Sequence, residues 1–265
     1  MGLADKAGGV DLVVHRHHDA QPARRGHVDG ERLRLGIMVP SGNVIAEPQI
    51  HAMLPAGVVA YITRLELRGS SEAELIEMSR HVESGAKLLA DAQVGAVVFH
   101  CTAVSTFSAQ MGQEIQQRIE QASGLPAFST SEAIVAALHA LKAKKIVLLT
   151  PYIEEVNVRE CAFLAHHGFE VIAQMGLGVN TNAEMGKLPE QVWVDQALKL
   201  QDPQADAYFI SCTAVRSAEA IERIEALLDR PVITSNQAMV WFGLRKYGIS
   251  DHASGYGRLF DLQNV

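Results

Sequence analysis

The sequence contains VVFHCTAVST at residues 97–106 and YFISCTAVRS at residues 208–217. Each stretch is a short apolar run of strand length that ends at a cysteine, Cys101 or Cys212, followed by Thr-Ala-Val. The two cysteines are 111 residues apart (212 − 101). Because the same pattern occurs twice, we predict a chain of two similar halves, each with a cysteine at the same position.

Other landmarks repeat in the same order. Pro40 and Pro151 show the same offset of 111 residues (151 − 40), and LPAFSTSEA at 125–133 resembles RPVITSNQA at 230–238. Between these landmarks, short apolar runs alternate with stretches in which apolar residues recur every three or four positions. This alternation is typical of parallel sheets covered by helices. We therefore predict an α/β fold with two similar four-stranded parallel-sheet domains related by pseudo-twofold symmetry.

The repeat also predicts the domain limits. Residues 32–143 form the first α/β domain and residues 144–265 the second, with 235–265 as a segment that can pack back on the first. Residues 1–31 are polar, lack apolar periodicity and carry histidines at positions 15, 17, 18 and 27. This composition is typical of a flexible tail, and a metal-binding tail is the alternative.

Composition argues against several functional classes. The chain has 265 residues and a formal net charge of −7, so it lacks the basic character of a nucleic-acid-binding protein. Its apolar runs are too short to span a membrane, and we see no secretory signal pattern at the N-terminus. Three cysteines without C-x-x-C spacing argue against disulfides and structural zinc and favour a cytoplasmic location.

The sequence also lacks the glycine-rich motifs that bind phosphates. No G-x-G-x-x-G follows the first predicted strand, and no Walker loop is present. His100 stands beside Cys101 without an accompanying carboxylate cluster, which disfavours a metal site. We therefore expect neither a cofactor nor a metal.

The repeated cysteines predict a shared active site. Ligands of open parallel sheets bind beyond the carboxyl ends of the strands, and both Cys101 and Cys212 follow predicted strands. If the two domains face each other about a pseudo-twofold axis, the cysteines meet across one cleft. Both also precede predicted helices, whose free N–H groups and dipole lower the pKa of a thiol and attract carboxylates. The alternative is that both are buried packing cysteines. Cys161 lies in a helical stretch, and we expect it to be core or partly exposed and not catalytic.

Polar turns after other predicted strands provide candidate ligand contacts. Ser41 and Asn43 follow the first strand, where they can hold a small anion or act as ordinary helix N-caps. Tyr152 lies in the equivalent turn of the second half, and Asn182 lies in an asparagine-rich turn after the sixth strand. Asparagine-rich turns are common in loops, so these residues alone do not identify a function.

The motifs VPSGNVIAEP, CTAVST, TPY, LGVNTN, SCTAVRS and SGYGRLF together resemble those of maleate cis–trans isomerases. These enzymes belong to the Asp/Glu racemase-like superfamily, which also holds arylmalonate decarboxylase, and the resemblance covers residues 33–260. It implies that Cys101 adds as a thiolate to the double bond of maleate, and that Cys212 acts as the general acid/base. It further implies a small dicarboxylate substrate, no cofactor, and a homo-oligomer (dimer or tetramer).

The resemblance also implies which residues bind the substrate. Asn43, Tyr152 and Asn182 match substrate-holding positions, and donors after each cysteine would hold the carboxylates. The implied substrate-binding set is Ser41, Asn43, Thr102, Ala103, Tyr152, Asn182, Thr213, Ala214 and Val215. The first turn departs from the family pattern, because it reads Ser-Gly-Asn where Ser-Ser-Asn is expected, and one hydroxyl donor is lost.

We therefore expect cofactor-independent cis–trans isomerisation of maleate, or of a substituted maleate, to fumarate through a cysteine-thiolate adduct. A racemase or decarboxylase acting on another small carboxylate is the alternative, because the superfamily uses one scaffold for all three reactions. A decarboxylase commonly needs one cysteine, so the retained pair argues against it. A non-catalytic binding protein for a small dicarboxylate could lose either thiol.

Overall fold

The computed structural model describes residues 30–265, in which two four-stranded parallel sheets follow each other along the chain. Apart from its last two residues, the predicted N-terminal tail lies outside the described residues. The strands are β1 (Leu33–Pro40), β2 (Val58–Leu65), β3 (Ala96–Phe99), β4 (Ala127–Ser129), β5 (Lys145–Thr150), β6 (Glu170–Gly176), β7 (Ala207–Ile210) and β8 (Val232–Thr234).

Helices connect these strands in both halves. In the first half they are α1 (Ala46–Met53), α2 (Glu72–Ser79), α3 (Val82–Asp91), α4 (Thr102–Ser105), α5 (Met111–Ser123) and α6 (Thr130–Ala140). In the second half they are α7 (Glu154–His166), α8 (Asn182–Met185), α9 (Glu190–Lys199), α10 (Ile221–Leu228) and α11 (Ser235–Lys246). Short 3₁₀ helices span Ala218–Ala220 and Arg258–Asp261.

The two sheets have the same topology. Their strand orders are β2-β1-β3-β4 and β6-β5-β7-β8, and every pairing is parallel. The inner strands β3 (AVVF) and β7 (AYFI) are buried along their whole length, because each sheet is covered on both faces. The edge strands β2 and β6 are partly exposed. The predicted fold class is confirmed.

Helix α11 connects the two halves. It follows β8 in the second half, yet it packs against α6 and α1 of the first half. It starts with a capping box, in which the Thr234 side chain accepts the N–H of Gln237 and the Gln237 side chain accepts the N–H of Thr234. Near its end, the Arg245 guanidinium donates to the carbonyls of Ile249 and Phe260, among others, and so fixes the C-terminal segment on this helix.

The carboxyl ends of the inner strands lead into one shared interior. Cys101 after β3 and Cys212 after β7 belong to a single cluster of buried side chains drawn from both sheets, including Phe99 and Ile210. Because parallel strands present their carboxyl ends at the same edge, the turns that follow them converge in space. The fold therefore gathers the residues that follow the strands into one site.

Candidate active site

The two cysteines at equivalent strand ends are electrostatic neighbours. Cys101 is 4% exposed and Cys212 is 3% exposed. Tyr152, which follows β5, is also buried, and its hydroxyl hydrogen-bonds to the Cys212 thiol. Burial and, to a smaller extent, the charge of Cys212 raise the pKa of the Cys101 thiol, so Cys101 responds to the ionisation of Cys212. Both thiols therefore belong to one enclosed site.

Hydroxyl and amide groups connect the two halves at this site. Ser235 Oγ, at the start of α11, accepts hydrogen bonds from Thr102 Oγ1 (2.9 Å) and from the backbone N–H of Cys212 (3.1 Å). Asn43 Nδ2 in the first half donates to Thr213 Oγ1 in the second half at 3.0 Å. These bonds fix the residues that follow the two cysteines relative to each other, which is the preorganisation that a catalytic site needs.

The first polar turn is largely occupied by bonds within the protein. Asn43 is completely buried, and its Oδ1 accepts the backbone N–H groups of Ile45 (2.9 Å) and Ala46 (3.0 Å), which satisfies the start of α1. Ser41 is partly buried, and its hydroxyl accepts the Leu67 N–H at 3.1 Å. Both residues therefore organise the turn, and Asn43 also contacts the opposite half.

Asn182 approaches the same turn from the second half. Its Nδ2 donates to the Leu67 carbonyl at 3.2 Å, and its backbone N–H donates to the Arg68 carbonyl at 3.0 Å. Next to these bonds, Gly69 and Thr181 form an isolated antiparallel bridge. The segments that follow β2 and β6 thus contact each other where the two halves meet.

The glycine in Ser-Gly-Asn has a packing reason. A Cβ atom at Gly42 would lie 3.2 Å from the Asn182 Cβ and 3.3 Å from the Leu67 carbonyl oxygen. A serine here would push Asn182 away. Gly42, which lacks the hydroxyl of a serine, therefore allows a close contact between the two halves.

Cys212 has a backbone conformation that is rare for a residue with a side chain. Its φ is +118°, a region that costs a non-glycine residue about 1–3 kcal/mol and persists only where the surroundings impose it. Here the Cys212 N–H is bonded to Ser235, and the sulfur accepts the Ala214 N–H at 3.3 Å. Met185 Sδ lies 3.8 Å from the sulfur. Strained residues of this kind cluster at active sites.

The strain predicts an order of stability between two variants. Cys212→Gly should be more stable than Cys212→Ala, because glycine adopts a positive φ at little steric cost whereas alanine retains the strain. We expect a difference in the free energy of unfolding of about 1 kcal/mol, after allowance for the greater flexibility of glycine in the unfolded chain. Urea denaturation of both variants measures it. An alanine variant as stable as the glycine variant would contradict the strain.

Burial dominates the ionisation of both thiols. Desolvation raises the pKa of Cys101 to about 12, and it likewise raises the pKa of Cys212 to about 12. The backbone N–H groups of Val104 and Ala103 act in the opposite direction on Cys101, as do Tyr152 and Ala214 on Cys212. These donors offset burial only in part, because the charged form loses its hydration in the enclosed site.

The prediction that helix starts make these thiols acidic is therefore wrong for the enclosed site. Helix α4 after Cys101 has only four residues, and Cys212 is followed by a turn and a short 3₁₀ helix. Such short elements align few peptide dipoles, so their effect is small beside the cost of burying a charge.

These pKa values predict low thiol reactivity at neutral pH. Because the thiolate fraction grows as pH rises towards the raised pKa, alkylation of Cys101 and Cys212 by iodoacetamide should rise about tenfold per pH unit up to about pH 10. Near pH 7 the thiolate fraction should be on the order of a thousandfold below that of a free cysteine. Peptide mass spectrometry gives the rate at each cysteine, with urea-unfolded protein as the control. A rate that levels off below pH 9 in the folded protein would contradict the effect of burial.

Sequence reasoning missed several residues of the site. Ser235 and Asn236 lie in TSNQA, which we used only as a landmark of the repeat. Asn236 Nδ2 donates to Gln49 Oε1 (2.6 Å) and to the Thr213 carbonyl (3.2 Å), so it extends the network across the halves. The position of TSNQA after β8, a strand next to β7, was the available signal.

His100 is a buried, neutral part of the same network. Its Nε2 lies 2.8 Å from Asn236 Oδ1 and its Nδ1 lies 3.0 Å from Thr130 Oγ1, while burial lowers its pKa to about 4. Among residues 30–265, no group of three or more His, Cys, Asp or Glu residues is arranged to hold a metal ion. No helix in that part of the chain is both long enough and apolar enough to cross a membrane.

The protein has two equivalent parallel sheets, and a buried cysteine follows the third strand of each in chain order. It is therefore an α/β protein of two similar halves with one such cysteine in each. The family model for arylmalonate decarboxylase matches residues 35–260. The chain therefore belongs to the arylmalonate decarboxylase family.

Individual relatives include two kinds of enzyme. The chain is 33% identical to arylmalonate decarboxylase of Bordetella bronchiseptica over 146 residues, which are 54% of this chain and 61% of that enzyme. It is 28% identical to maleate isomerase of Nocardia farcinica over 240 residues, which are 85% of this chain and 94% of that enzyme.

A solved structure of maleate cis–trans isomerase from Nocardia farcinica shows the same fold. It is a cysteine-to-serine mutant with a covalently bound succinylcysteine intermediate. It superimposes with a TM-score of 0.82 at 25% identity and covers 86% of this chain and 98% of its own. The predicted resemblance to maleate cis–trans isomerases and arylmalonate decarboxylase is confirmed.

Proposed function

We propose that this protein catalyses the cofactor-independent cis–trans isomerisation of maleate, or of a substituted maleate, to the corresponding fumarate. The observation that carries the proposal is the pair of buried cysteines, Cys101 and Cys212, at equivalent strand ends of one enclosed site. Matches to maleate isomerases over most of the chain support it. A succinylcysteine intermediate in one of these relatives supports a covalent route.

The reaction conserves all atoms of the substrate. The Cys101 thiolate forms a C–S bond to one alkene carbon, and the π electron pair moves onto the neighbouring carbon and into its carboxylate. The Cys212 thiol protonates or shares this carbanion, which leaves a single bond about which the adduct rotates. Cys212 then takes back the proton, the double bond reforms in the trans geometry, and the C–S bond breaks to return the thiolate.

The substrate carboxylates are held without a bound metal in this proposal. The Cys101 side offers the backbone N–H groups of Ala103 and Val104, which already favour an anion at the sulfur. We assign direct substrate contacts to Tyr152 and Asn182, which are both buried. Tyr152 lies near Cys212, and Asn182 lies where the two halves meet. The further assigned positions are Ser41, Asn43, Thr102, Thr213, Ala214 and Val215.

Decarboxylation of a small malonate is the second candidate. It is favoured by the 33% identity with arylmalonate decarboxylase, which exceeds the identity with the maleate isomerases. Its weakness is the second cysteine, because the decarboxylation needs one thiol as proton donor and this site holds two. Racemisation of a small carboxylate would use both thiols as acid and base, and no particular observation favours it.

One experiment separates these reactions. The purified protein is incubated in heavy water with maleate, substituted maleates, an arylmalonate and a panel of amino acids, and the products are followed by proton NMR. Isomerisation converts the alkene signal of maleate into that of fumarate, decarboxylation yields an α-deuterated monocarboxylate, and racemisation removes the α-proton signal. Turnover of the arylmalonate without turnover of any maleate would refute the proposal.

Several accompanying assignments belong to this proposal. We keep 32–143 and 144–265 as the two domains, with the part from 235 onward packed on the first, in keeping with the contacts of α11. We also propose a homo-oligomer and a cytoplasmic location. Three free cysteines are suited to a reducing compartment such as the cytoplasm.

A further inference from the structure

One side chain connects the chain neighbours of both thiols. Asn236, in the first turn of α11, is completely buried. Its Nδ2 donates to the backbone carbonyl of Thr213 at 3.2 Å, and its Oδ1 lies 2.8 Å from His100 Nε2. His100 precedes Cys101, and Thr213 follows Cys212. Asn236 therefore lies between the end of β3 and the turn that follows β7.

The directions of the hydrogen bonds at Asn236 are fixed by a group that only accepts. A backbone carbonyl has no proton to donate, so the amide atom that faces Thr213 is Nδ2 and the atom that faces His100 is Oδ1. Because Oδ1 only accepts, His100 Nε2 carries a proton and donates it. Burial lowers the pKa of His100 to about 4, so at neutral pH its Nδ1 is unprotonated and faces Thr130 Oγ1 at 3.0 Å. The ring is therefore held as the Nε2–H tautomer.

A carboxylate fixes the other end of this chain of hydrogen bonds. Gln49 on α1 donates from Nε2 to Glu219 Oε2 at 2.6 Å, so its Oε1 is the atom that accepts from Asn236, also at 2.6 Å. The Asn236 amide thus donates to Gln49 in the first half and to Thr213 in the second, and its oxygen accepts from His100. A buried amide with all its groups satisfied favours a single geometry.

The equivalent position of the first half makes no such connection. The offset of 105 residues that relates LPAFSTSEA to RPVITSNQA places Ser131 opposite Asn236 (236 − 131). The Ser131 hydroxyl forms a hydrogen bond with Ser129 Oγ at 2.9 Å, within its own half. Of these two equivalent side chains, only Asn236 therefore bonds to both halves.

The turn after Cys212 depends on bonds from outside the turn. The φ of +118° at Cys212 persists only where the surroundings impose it. The Cys212 N–H is bonded to Ser235, and the carbonyl of the next residue, Thr213, is bonded to Asn236. The bond from Asn236 therefore fixes the backbone one residue beyond the strained position.

We propose that Asn236 is a positioning residue, which holds the turn after Cys212 against the end of β3 and so sets how the second thiol faces the adduct on Cys101. Asn236 does not touch the substrate. This role rests on the proposed function, in which Cys212 gives a proton to that adduct and takes it back. A displacement of about 1 Å from the productive geometry slows such a step on the order of 10²-fold.

The test is a double-mutant cycle that combines Asn236→Leu with Cys212→Ser. Leucine keeps the branched shape of asparagine and forms none of its hydrogen bonds. We expect Asn236→Leu to lower kcat for maleate about 10²-fold when Cys212 is present, and less than about threefold in Cys212→Ser, where no thiol remains to be positioned. The rate of adduct formation on Cys101, followed by mass spectrometry, should change less than about threefold. An equal loss of kcat in both backgrounds would mean that the substitution merely loosens the site, and would overturn the proposal.

Ser131→Ala is the matched control, because it removes a polar group at the equivalent helix position of the first half. It should retain at least about half of the wild-type kcat. A loss as large as that of Asn236→Leu would contradict a specific role for Asn236. A wild type that turns over no compound of the panel would refute the proposed function and this role with it, whereas equal losses in a protein that isomerises maleate would refute the role alone.

The bond between Asn236 and His100 is tested without turnover. In protein labelled with nitrogen-15 histidine, His100 should show a proton on Nε2 that exchanges slowly with water, assigned by its absence from His100→Gln. The signal should persist in Cys212→Ser, and its exchange should be at least about tenfold faster in Asn236→Leu. A wild-type ring with its proton on Nδ1 would overturn the proposal.

Should Asn236→Leu not fold, two variants of His100 decide the question. Glutamine can place an N–H near the position of Nε2 and donate to Asn236, whereas leucine cannot. The kcat of His100→Gln should therefore exceed that of His100→Leu by about tenfold. Equal values for the two variants would overturn the proposal.

Discussion

Replacing Cys101 by serine should abolish isomerisation of maleate, with a loss of about 10⁴-fold or more in kcat. Serine is nearly isosteric, but its hydroxyl does not ionise in the site and is a far weaker nucleophile towards an alkene carbon. The covalent adduct should disappear together with turnover, because the same atom carries both. Steady-state rates followed by proton NMR measure the loss.

The matched control for this variant is Cys161→Ser. Cys161 lies on α7 and is partly buried. Its thiol donates to Gln174 on β6, so it lies outside the hydrogen-bond network around Cys101 and Cys212. Its replacement should retain at least about half of the wild-type rate. Activity that survives in Cys101→Ser, or an equal loss in Cys161→Ser, would contradict the role of Cys101 as nucleophile.

Replacing Cys212 by serine should slow turnover by about 10²–10⁴-fold, the usual contribution of a general acid or base. Addition of Cys101 to maleate does not need the second thiol, so the adduct should still form. The variant should therefore accumulate an intermediate that the wild type passes through quickly. Rates from proton NMR and the fraction of modified protein from mass spectrometry are measured on the same sample.

The backbone at Cys212 provides the control for this second variant. Serine retains a side chain at φ +118° and can still accept the Ala214 N–H, so the geometry of the turn is kept. A variant that loses both turnover and adduct, while its unfolding free energy equals that of the wild type, would contradict a role confined to proton transfer.

The repeat of the sequence was sufficient to predict the architecture. Apolar runs such as AVVF and AYFI are typical of the strands of a parallel sheet covered on both faces, and the offset of 111 residues between Cys101 and Cys212 indicated two equivalent units. The structure agrees with this, because both sheets have the same order of strands. The cysteines stand out in sequence because they end strands whose positions are easily recognised.

Other parts of the site depend on contacts that no local pattern encodes. Ser235 matters because its hydroxyl lies between Thr102 and the N–H of Cys212, which belong to different halves. Glu160 sits on a helix whose exposed neighbours conceal its burial, so the sequence alone suggests a solvated carboxylate. The role of Ser235 depends on how the two halves meet, whereas the burial of Glu160 depends on its contact with Ser211 inside the second half.

The ionisation of the thiols could not be predicted from their positions at strand ends. The sequence indicates that a helix follows Cys101, but not that α4 ends after four residues or that the thiol is 4% exposed. Burial removes the hydration that stabilises the thiolate. The short helix and two backbone N–H groups compensate for only part of this loss. The degree of burial, which depends on how the halves close, therefore decides the sign of the pKa shift.

The proposed mechanism depends most directly on which sulfur forms the bond to carbon. Cys212→Ser is mixed with maleate, quenched with acid and digested, and the peptides with Cys101 and Cys161 are examined by mass spectrometry. We predict that the peptide with Cys101 gains the mass of one substrate molecule and that the peptide with Cys161 does not. A wild-type protein that isomerises maleate and carries the added mass on Cys212, with Cys101 unmodified, would contradict the account.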